Sequence, residues 1–384
     1  MQDFAGVDAS PAAKDVYFDH DNDGDKEWRT ILAGAEGFGG KSIFALDVTD
    51  PSAWSVMWEA TDTAAPGGGM GHAYAVAIDK IKWPVHDVSD LDHDGDVMEI
   101  IDYEMKWVVF VASGYAQIAV DHGGVNVFAF DLKTGSKLWH FSAEYADSVN
   151  DIPGAVTVYD TDGDSFADRV YVGDMNGRLW ELNALDGTNP NGTQTSGANA
   201  GKQIPLFNAG IGKPISVSPS IITKNDHTIL VFGTGGANWA SDAATYAVYA
   251  LDATAKRSIP SYVDGAGTLL WQHNLAAGEK VWSTPTIASG QIYVVTSFGG
   301  MEGSDPGQDV AADGQPTGNL HSLSLASGTL AWSINNIGKV RGSLYVDRQH
   351  AYLTTVDNQI IQVGGEDFAA GTGNRVVLRS WKQF

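Results

Sequence analysis

The chain of 384 residues contains no cysteine. That absence removes disulfides, thiolate nucleophiles and cysteine-held zinc or iron–sulfur sites together. It does not fix a compartment. Basic residues are scarce: 23 Lys+Arg stand against 47 Asp+Glu, giving a formal net charge of −24. A phosphate-binding surface needs clustered Lys and Arg, so the balance argues against nucleic acid and against docking on anionic membranes. No run approaches the roughly 18–20 apolar residues of a transmembrane helix, so membrane insertion is not expected. Residues 1–15 lack the basic and apolar regions of a signal peptide. An exported form would carry its signal upstream.

Convincing helical periodicity is also missing. Short apolar, β-branched and aromatic runs recur instead, as in residues 107–112 (WVVFVA), 169–172 (RVYV), 229–232 (ILVF), 291–296 (QIYVVT) and 351–356 (AYLTTV). Gly, Asp, Asn or Ser bound each run, the signature of strands and turns. The fold class is therefore all-β.

A second recurrence overlies the strands. An apolar-Ala-Leu-Asp segment, a Thr/Ser-Gly turn and then Trp appear at Phe44–Asp47 with Trp58, at Phe128–Asp131 with Gly135 and Trp139, and at Tyr249–Asp252 with Trp271. Leu323 to Trp332 repeats it in part, and Asn176 to Leu182 is a related piece. Periodic Gly/aromatic hairpins are the cue for a β-propeller, whose blades bury their apolar faces by stacking. A Trp repeated at an inter-blade position supplies large buried area. At about 50 residues per blade the length gives seven or eight blades. One seven-bladed propeller over residues 1–384 is the expectation, with a pair of β-sandwiches as the alternative.

Three short segments hold five, five and four of the acidic residues. They are Asp19, Asp21, Asp23, Asp25 and Glu27; Asp90, Asp92, Asp94, Asp96 and Glu99; and Asp160, Asp162, Asp164 and Asp168. Carboxylates at positions 1, 3 and 5 of a tight loop point at one centre, and Ca²⁺ takes six to eight oxygens. Position 7 adds a backbone carbonyl, from Phe166 in the third segment and Asp25 in the first. Position 9 closes the cage with Asp168 or Glu27. The second segment has Met98 at position 9 and Glu99 one step late, so its cage is irregular or shifted. The expectation is one Ca²⁺ at 160–168, a second at 19–27 and a third at 90–99. Solvated turns are the alternative, because Asp and Gly favour turns. Mg²⁺ suits a crowded all-protein cage less well.

Other patterns are weak. His72 sits in a Gly-rich turn with no acid or nucleophile placed by spacing, which reads as structural. Residues 34–40 (GAEGFGG) lack a P-loop lysine. No Gly-x-Ser-x-Gly elbow or His-Glu-x-x-His is present. Residues 186–201 and 301–319 read as surface loops, and Asn191-Gly-Thr fits an N-glycosylation pattern that is common by chance.

The third acidic segment and its sequel, from Asp160 through Arg169-Val-Tyr-Val-Gly-Asp-Met-Asn-Gly-Arg-Leu-Trp180, strongly resemble the calcium loop and following blade of PilY-type type IV pilus proteins. Residues 28–32, 39–51, 106–115, 219–235 and 380–384 are similar to other strings of that family. The resemblance implies a modified seven-bladed, quinoprotein-like propeller from the C-terminal part of a longer exported protein. It implies action at the pilus tip or cell surface, in pilus assembly, control of retraction and twitching, and adhesion. The implied partners are minor pilins and a host or surface receptor. The implied calcium ligands are Asp160, Asp162, Asp164, Asp168 and the Phe166 carbonyl. Two departures stand out: Ser165 occupies the sixth loop position where the family has Gly, and two further acidic segments are present. No enzyme activity is expected. A quinone-dependent dehydrogenase propeller and a glycan- or matrix-binding propeller are the alternatives. Many quinone enzymes use a vicinal Cys pair, which this chain cannot supply.

Overall fold

The computed structural model describes residues 6–7, 9–62, 69–86, 100–114, 125–143, 150–236, 243–298, 318–338, 344–346, 350–354, 360–364 and 376–379. Residues 90–99, 301–317 and 380–384 lie outside them. Apart from one 3-10 turn at Gly37–Gly39, the regular structure of the described residues is all β, joined by turns and loops, as the strand and turn pattern requires.

Six antiparallel sheets follow one another along the chain. The first contains β1 (Ala12–Phe18), β2 (Glu27–Ala35), β3 (Ile43–Asp47) and β4 (Ser55–Ala60). The second contains β5 (Val76–His86), β6 (Ile100–Ala112), β7 (Asn126–Asp131) and β8 (Lys137–Ser142). The third contains β9 (Thr157–Tyr159), β10 (Arg169–Gly173), β11 (Arg178–Asn183) and β12 (Phe207–Asn208). The fourth contains β13 (Ser220–Lys224), β14 (His227–Gly233), β15 (Thr245–Ser261) and β16 (Gly265–Ala277). The fifth is five-stranded: β17 (Glu279–Val281), β18 (Thr286–Ala288), β19 (Gln291–Phe298), β20 (Gly318–Ser324) and β21 (Leu330–Asn335). The sixth contains β22 (Tyr345–Val346), β23 (His350–Thr354), β24 (Ile360–Gly364) and β25 (Val376–Arg379).

Strands pair in sequence order within each four-stranded sheet, the up-and-down order of propeller blades. The described residues supply six sheets, five of them four-stranded, beside an expectation of seven blades. The chain divides into two compact units, residues 1–172 with 181–192, and residues 173–180 with 193–384.

The Ala-Leu-Asp recurrence is the third strand of its sheet. Its register against the fourth strand shifts at the equivalent place each time, Ala45/Leu46, Ala129/Phe130 and Ala250/Leu251, and β15 shifts against β16 at three further places. A bulge twists the strand end and brings the Asp to the turn. There one carboxylate oxygen accepts backbone N–H groups, from Thr49 on Asp47, from Lys133 and Thr134 on Asp131, and from Thr254 and Ala255 on Asp252. The other oxygen faces a basic side chain on the second strand. Arg29 lies 3.5 Å from Asp47, Lys106 3.1 Å from Asp131, and His227 2.6 Å from Asp252. These acids serve turn closure.

The repeated tryptophans also have one geometry. Trp58 Nε1 donates to the Leu132 carbonyl at 2.8 Å, Trp139 to Ala184 at 3.0 Å and Trp271 to Leu325 at 3.0 Å. In each case a Trp on the fourth strand of one sheet caps the turn after the third strand or its equivalent in the next. The ring lies on the turn glycine. A Cβ on Gly135, Gly187 or Gly328 would come within 2.7, 2.4 and 2.4 Å of that ring, and their φ values are +70, +70 and +66°. Only glycine meets both demands. Residues 186–201, expected as a surface loop, thus carry a packing residue at Gly187.

A buried polar network holds the fifth sheet. Glu279 is 2% exposed. Its Oε1 accepts from Asn319 Nδ2 at 2.7 Å, lies 2.6 Å from His321 Nε2 and accepts the Thr296 hydroxyl. Its Oε2 accepts the Ala276 N–H at 3.1 Å. Burial by itself raises the carboxyl pKa, but the hydrogen bonds of His321, Thr296 and Asn319 and the His321 charge outweigh it and hold Glu279 down at about 2.

Candidate metal centre

The first and third acidic segments are the turns between the first and second strands of their sheets. Phe18 pairs with Glu27 across one, and Tyr159 with Arg169 across the other. The second segment has the corresponding place between β5 and β6, where His86 pairs with Ile100. Its residues Asp90, Asp92, Asp94, Asp96 and Glu99 lie outside the described residues.

The first and third turns share one backbone. Positions 4 and 6 are left-handed in both: Asn22 and Gly24 at φ 65 and 96°, Gly163 and Ser165 at φ 83 and 73°. Position 1 accepts from the N–H of position 4, at 2.7 Å from Asn22 to Asp19 and 2.7 Å from Gly163 to Asp160. Position 3 accepts from position 5, and position 5 from position 7. The position-9 carboxylate accepts from the N–H of position 2, His20 to Glu27 at 3.2 Å and Thr161 to Asp168 at 2.8 Å. Each short acidic side chain thus stabilises the turn that aims the next. Ser165 occupies a left-handed position that glycine favours. Ser165→Gly is therefore expected to stabilise the turn by about 1 kcal/mol, read as a higher urea midpoint.

The carboxylates do not converge identically. Oxygens of Asp19, Asp21 and Asp23 lie within 4.8 Å of one another in the first turn, and oxygens of Asp160, Asp162 and Asp168 do so in the third. Glu27 stands apart and receives Arg29 Nε at 3.2 Å. Asp164 lies beside this trio, and its Oδ2 pairs with the ammonium of Lys82 on β5. That ammonium, and then the Phe166 N–H, hold the Asp164 carboxyl below the usual carboxylate range. The Phe166 ring lies under Lys80 at 4.9 Å and Lys82 at 5.6 Å. The donors in both clusters are oxygen only, which fits a hard dication and not a soft or imidazole-seeking metal.

Clefts flank both turns. One of 280 Å³ is lined by Phe18, Asp19, Lys26, Trp107 and Lys133, among others. One of 330 Å³ is lined by Lys82, Tyr103, Phe166, Asp168 and Arg169, among others.

The string after the third turn is a structural lock. Asp174 is fully buried and accepts from the N–H groups of Asn176 and Arg178 and from Trp180 Nε1, each at 2.9 Å. Gly177 has φ +81, and a Cβ there would meet the Gly210 carbonyl at 2.5 Å. His72 is buried, and its Nδ1 donates to the Gly37 carbonyl at 2.9 Å, which fits a structural role. The sequence showed the acidic segments but not Lys82, whose only local signal is its place before the second of them. No helix among the described residues is long and apolar enough to cross a membrane.

Comparison with known proteins bears on the family and the fold. The chain is 26% identical over 355 residues to the type IV pilus biogenesis factor PilY1 of Pseudomonas aeruginosa strain PAO1, covering 88% of this chain and 26% of that protein. It is 29% identical over 236 residues to a PilY1 homolog of Xylella fastidiosa, covering 60% of this chain and 16% of that protein. It therefore spans about a quarter or less of the length of these curated relatives. The crystal structure of the P. aeruginosa PilY1 C-terminal domain superposes with a TM-score of 0.57 at 16% identity, covering 97% of this chain and 84% of that one. This likeness shows an all-β, propeller-like fold. A family model described as outer membrane protein assembly factor BamB matches residues 255–381. The PilY1 β-propeller domain model matches residues 2–252, well over half of the chain, and the chain belongs to that family.

Proposed function

We propose that this chain is the calcium-binding propeller of an exported type IV pilus assembly and tip protein. The observation that carries the reading is the turn at 160–168, where Asp160, Asp162 and Asp168 converge and Asp164 stands beside them. That turn lies inside the span matched by the PilY1 propeller family. The ligands would be Asp160, Asp162, Asp164, Asp168 and the Phe166 carbonyl. The matching backbone of the first turn supports a second site at Asp19, Asp21 and Asp23, with the Asp25 carbonyl and Glu27. A third at Asp90, Asp92, Asp94, Asp96 and Glu99 rests on the sequence alone.

Bound Ca²⁺ would neutralise carboxylates that otherwise repel and would order a strand entry. The ordered surface would meet minor pilins at the pilus tip, favouring extension over retraction, with surface adhesion as a further role. The protein's part is non-catalytic; support comes from relatives named for pilus biogenesis. Calorimetric titration is expected to show Ca²⁺ binding that Asp160→Ala weakens at least tenfold, since each carboxylate is a primary ligand. No heat in the wild type overturns the metal reading. If Asp168→Ala abolishes binding yet leaves piliation and twitching intact, the metal is a structural staple and not a switch. Dye-linked alcohol oxidation after reconstitution with pyrroloquinoline quinone would overturn the non-catalytic reading.

A further inference from the structure

The first and third acidic turns have the same backbone, yet their fifth-position carboxylates behave differently. Asp23 joins the cluster of Asp19 and Asp21, whereas Asp164 is missing from the cluster of Asp160, Asp162 and Asp168. The difference has a visible cause. Lys82, on β5 of the neighbouring sheet, pairs with Asp164 Oδ2. Asp164 Oδ1 stays committed to the Phe166 N–H at 2.8 Å, just as Asp23 Oδ1 is to the Asp25 N–H at 2.8 Å. The turn is therefore intact, and only the outward oxygen has been diverted.

The location of the ammonium is equally specific. It rests over the Phe166 ring at 5.6 Å, and the Ala167 N–H donates to the Lys80 carbonyl at 2.8 Å, tying β5 to this turn. The Lys82 ammonium thus already sits at the rim of the cluster.

We infer that Lys82 is a tethered competitor that sets the cation affinity of the 160–168 turn. This rests on the reading of that turn as a Ca²⁺ site. A dication that takes Asp164 as a ligand must displace the ammonium, and one that does not must accept its repulsion. Either route weakens binding, and removing the charge relieves both. By reciprocity, a bound cation would loosen the link between the turn and β5. That strand ends at His86, four positions before Asp90 in the sequence.

The test is calorimetric Ca²⁺ titration of the wild type, Lys82→Met, Asp164→Asn and the double variant, with Asp160→Ala identifying the heat that belongs to this turn. Lys82→Met is expected to bind about two- to fivefold more tightly, the scale of a solvent-exposed ion pair. Its effect should shrink on the Asp164→Asn background, because the two side chains act as a pair. The wild-type affinity should also depend differently on NaCl, since salt screens the competitor as well as the ion. Unchanged or weaker binding by Lys82→Met, with Asp160-dependent heat still present, overturns the role of Lys82 and leaves the site reading standing. Absence of Asp160-dependent heat in every protein overturns both. Lys80→Met is the control: Lys80 packs on Phe166 without an ion pair to Asp164 being its anchor, and the change in Kd is expected to be smaller than for Lys82→Met.

Discussion

Trp139→Ala is expected to destabilise the protein by about 3–5 kcal/mol, the usual cost of deleting a large buried aromatic. Trp139 is 8% exposed. Its indole N–H is spent on the Ala184 carbonyl, its ring lies 6.0 Å from that of Phe110, and its six-membered ring covers Gly187. The substitution leaves a cavity between sheets and a buried carbonyl that has lost a donor. Gly187→Ala attacks the same contact from the other side. It adds a Cβ 2.4 Å from the ring and forces a left-handed φ on an L residue, the latter alone costing roughly 1–2 kcal/mol. The double variant should cost less than the sum, because both changes break one contact. Trp28→Ala is the contrast. Trp28 is 66% exposed and its ring lies tilted against Tyr17 at 5.3 Å, so its loss should stay within about 0.5 kcal/mol plus the small ring-contact contribution. Urea unfolding of the four variants measures all of this. A Trp139→Ala loss no larger than that of Trp28→Ala would remove the repeated tryptophan from the causes of stability.

Glu279→Gln is expected to make the protein less stable at neutral pH and less sensitive to acid. The Glu279 carboxyl is held at about 2 against an ordinary 4.5. A depression of that size corresponds to about 3 kcal/mol of stability in favour of the ionised form. The sign follows from the direction. Because the folded-state value lies below the unfolded one, this stability is fully present above about pH 4.5 and is lost as pH falls toward 2. The difference between wild type and Glu279→Gln should therefore narrow steadily between about pH 4.5 and 2. Taking that difference cancels the many other carboxylates, which titrate alike in both proteins. Glu279→Ala should be worse than Glu279→Gln at neutral pH, since it strands the donors on Asn319, His321 and Thr296 in a dry site. Thermal unfolding followed against pH supplies the comparison. A gap independent of pH down to 2.5 would mean that Glu279 contributes by shape and not by charge.

Both effects depend on pairings that span long stretches of chain, which is why they were only partly readable beforehand. The tryptophan recurrence was visible as spacing, and its role between sheets followed from the need of each blade to bury a face. Which carbonyl each indole would reach, and why each turn needed glycine, required the packed sheets. Glu279 carried no signal at all: an acid in Gly-Glu-Lys reads as a solvated turn until Asn319 and His321 arrive from 40 and 42 residues away.

The acidic turns divide in the same way. Spacing of Asp160, Asp162 and Asp164 determined a tight hydrogen-bonded turn at the start of a strand, because Asx hydrogen bonds act over two or three residues and need no distant partner. Likewise the alternation of short apolar runs with Gly and Asp determined an all-β chain, since strand and turn preferences are local. The destination of the Asp164 carboxylate was decided by the fold. Lys82 stands 82 residues earlier, and only pairing of β5 beside the third turn brings its ammonium to that oxygen. The extent of each sheet among the described residues was also decided there, because insertions of unequal length hide strand boundaries from a division by repeat length. Local chemistry wrote the loops and the strands; the choice of partner for each buried or charged group was settled by which distant strands came to lie side by side.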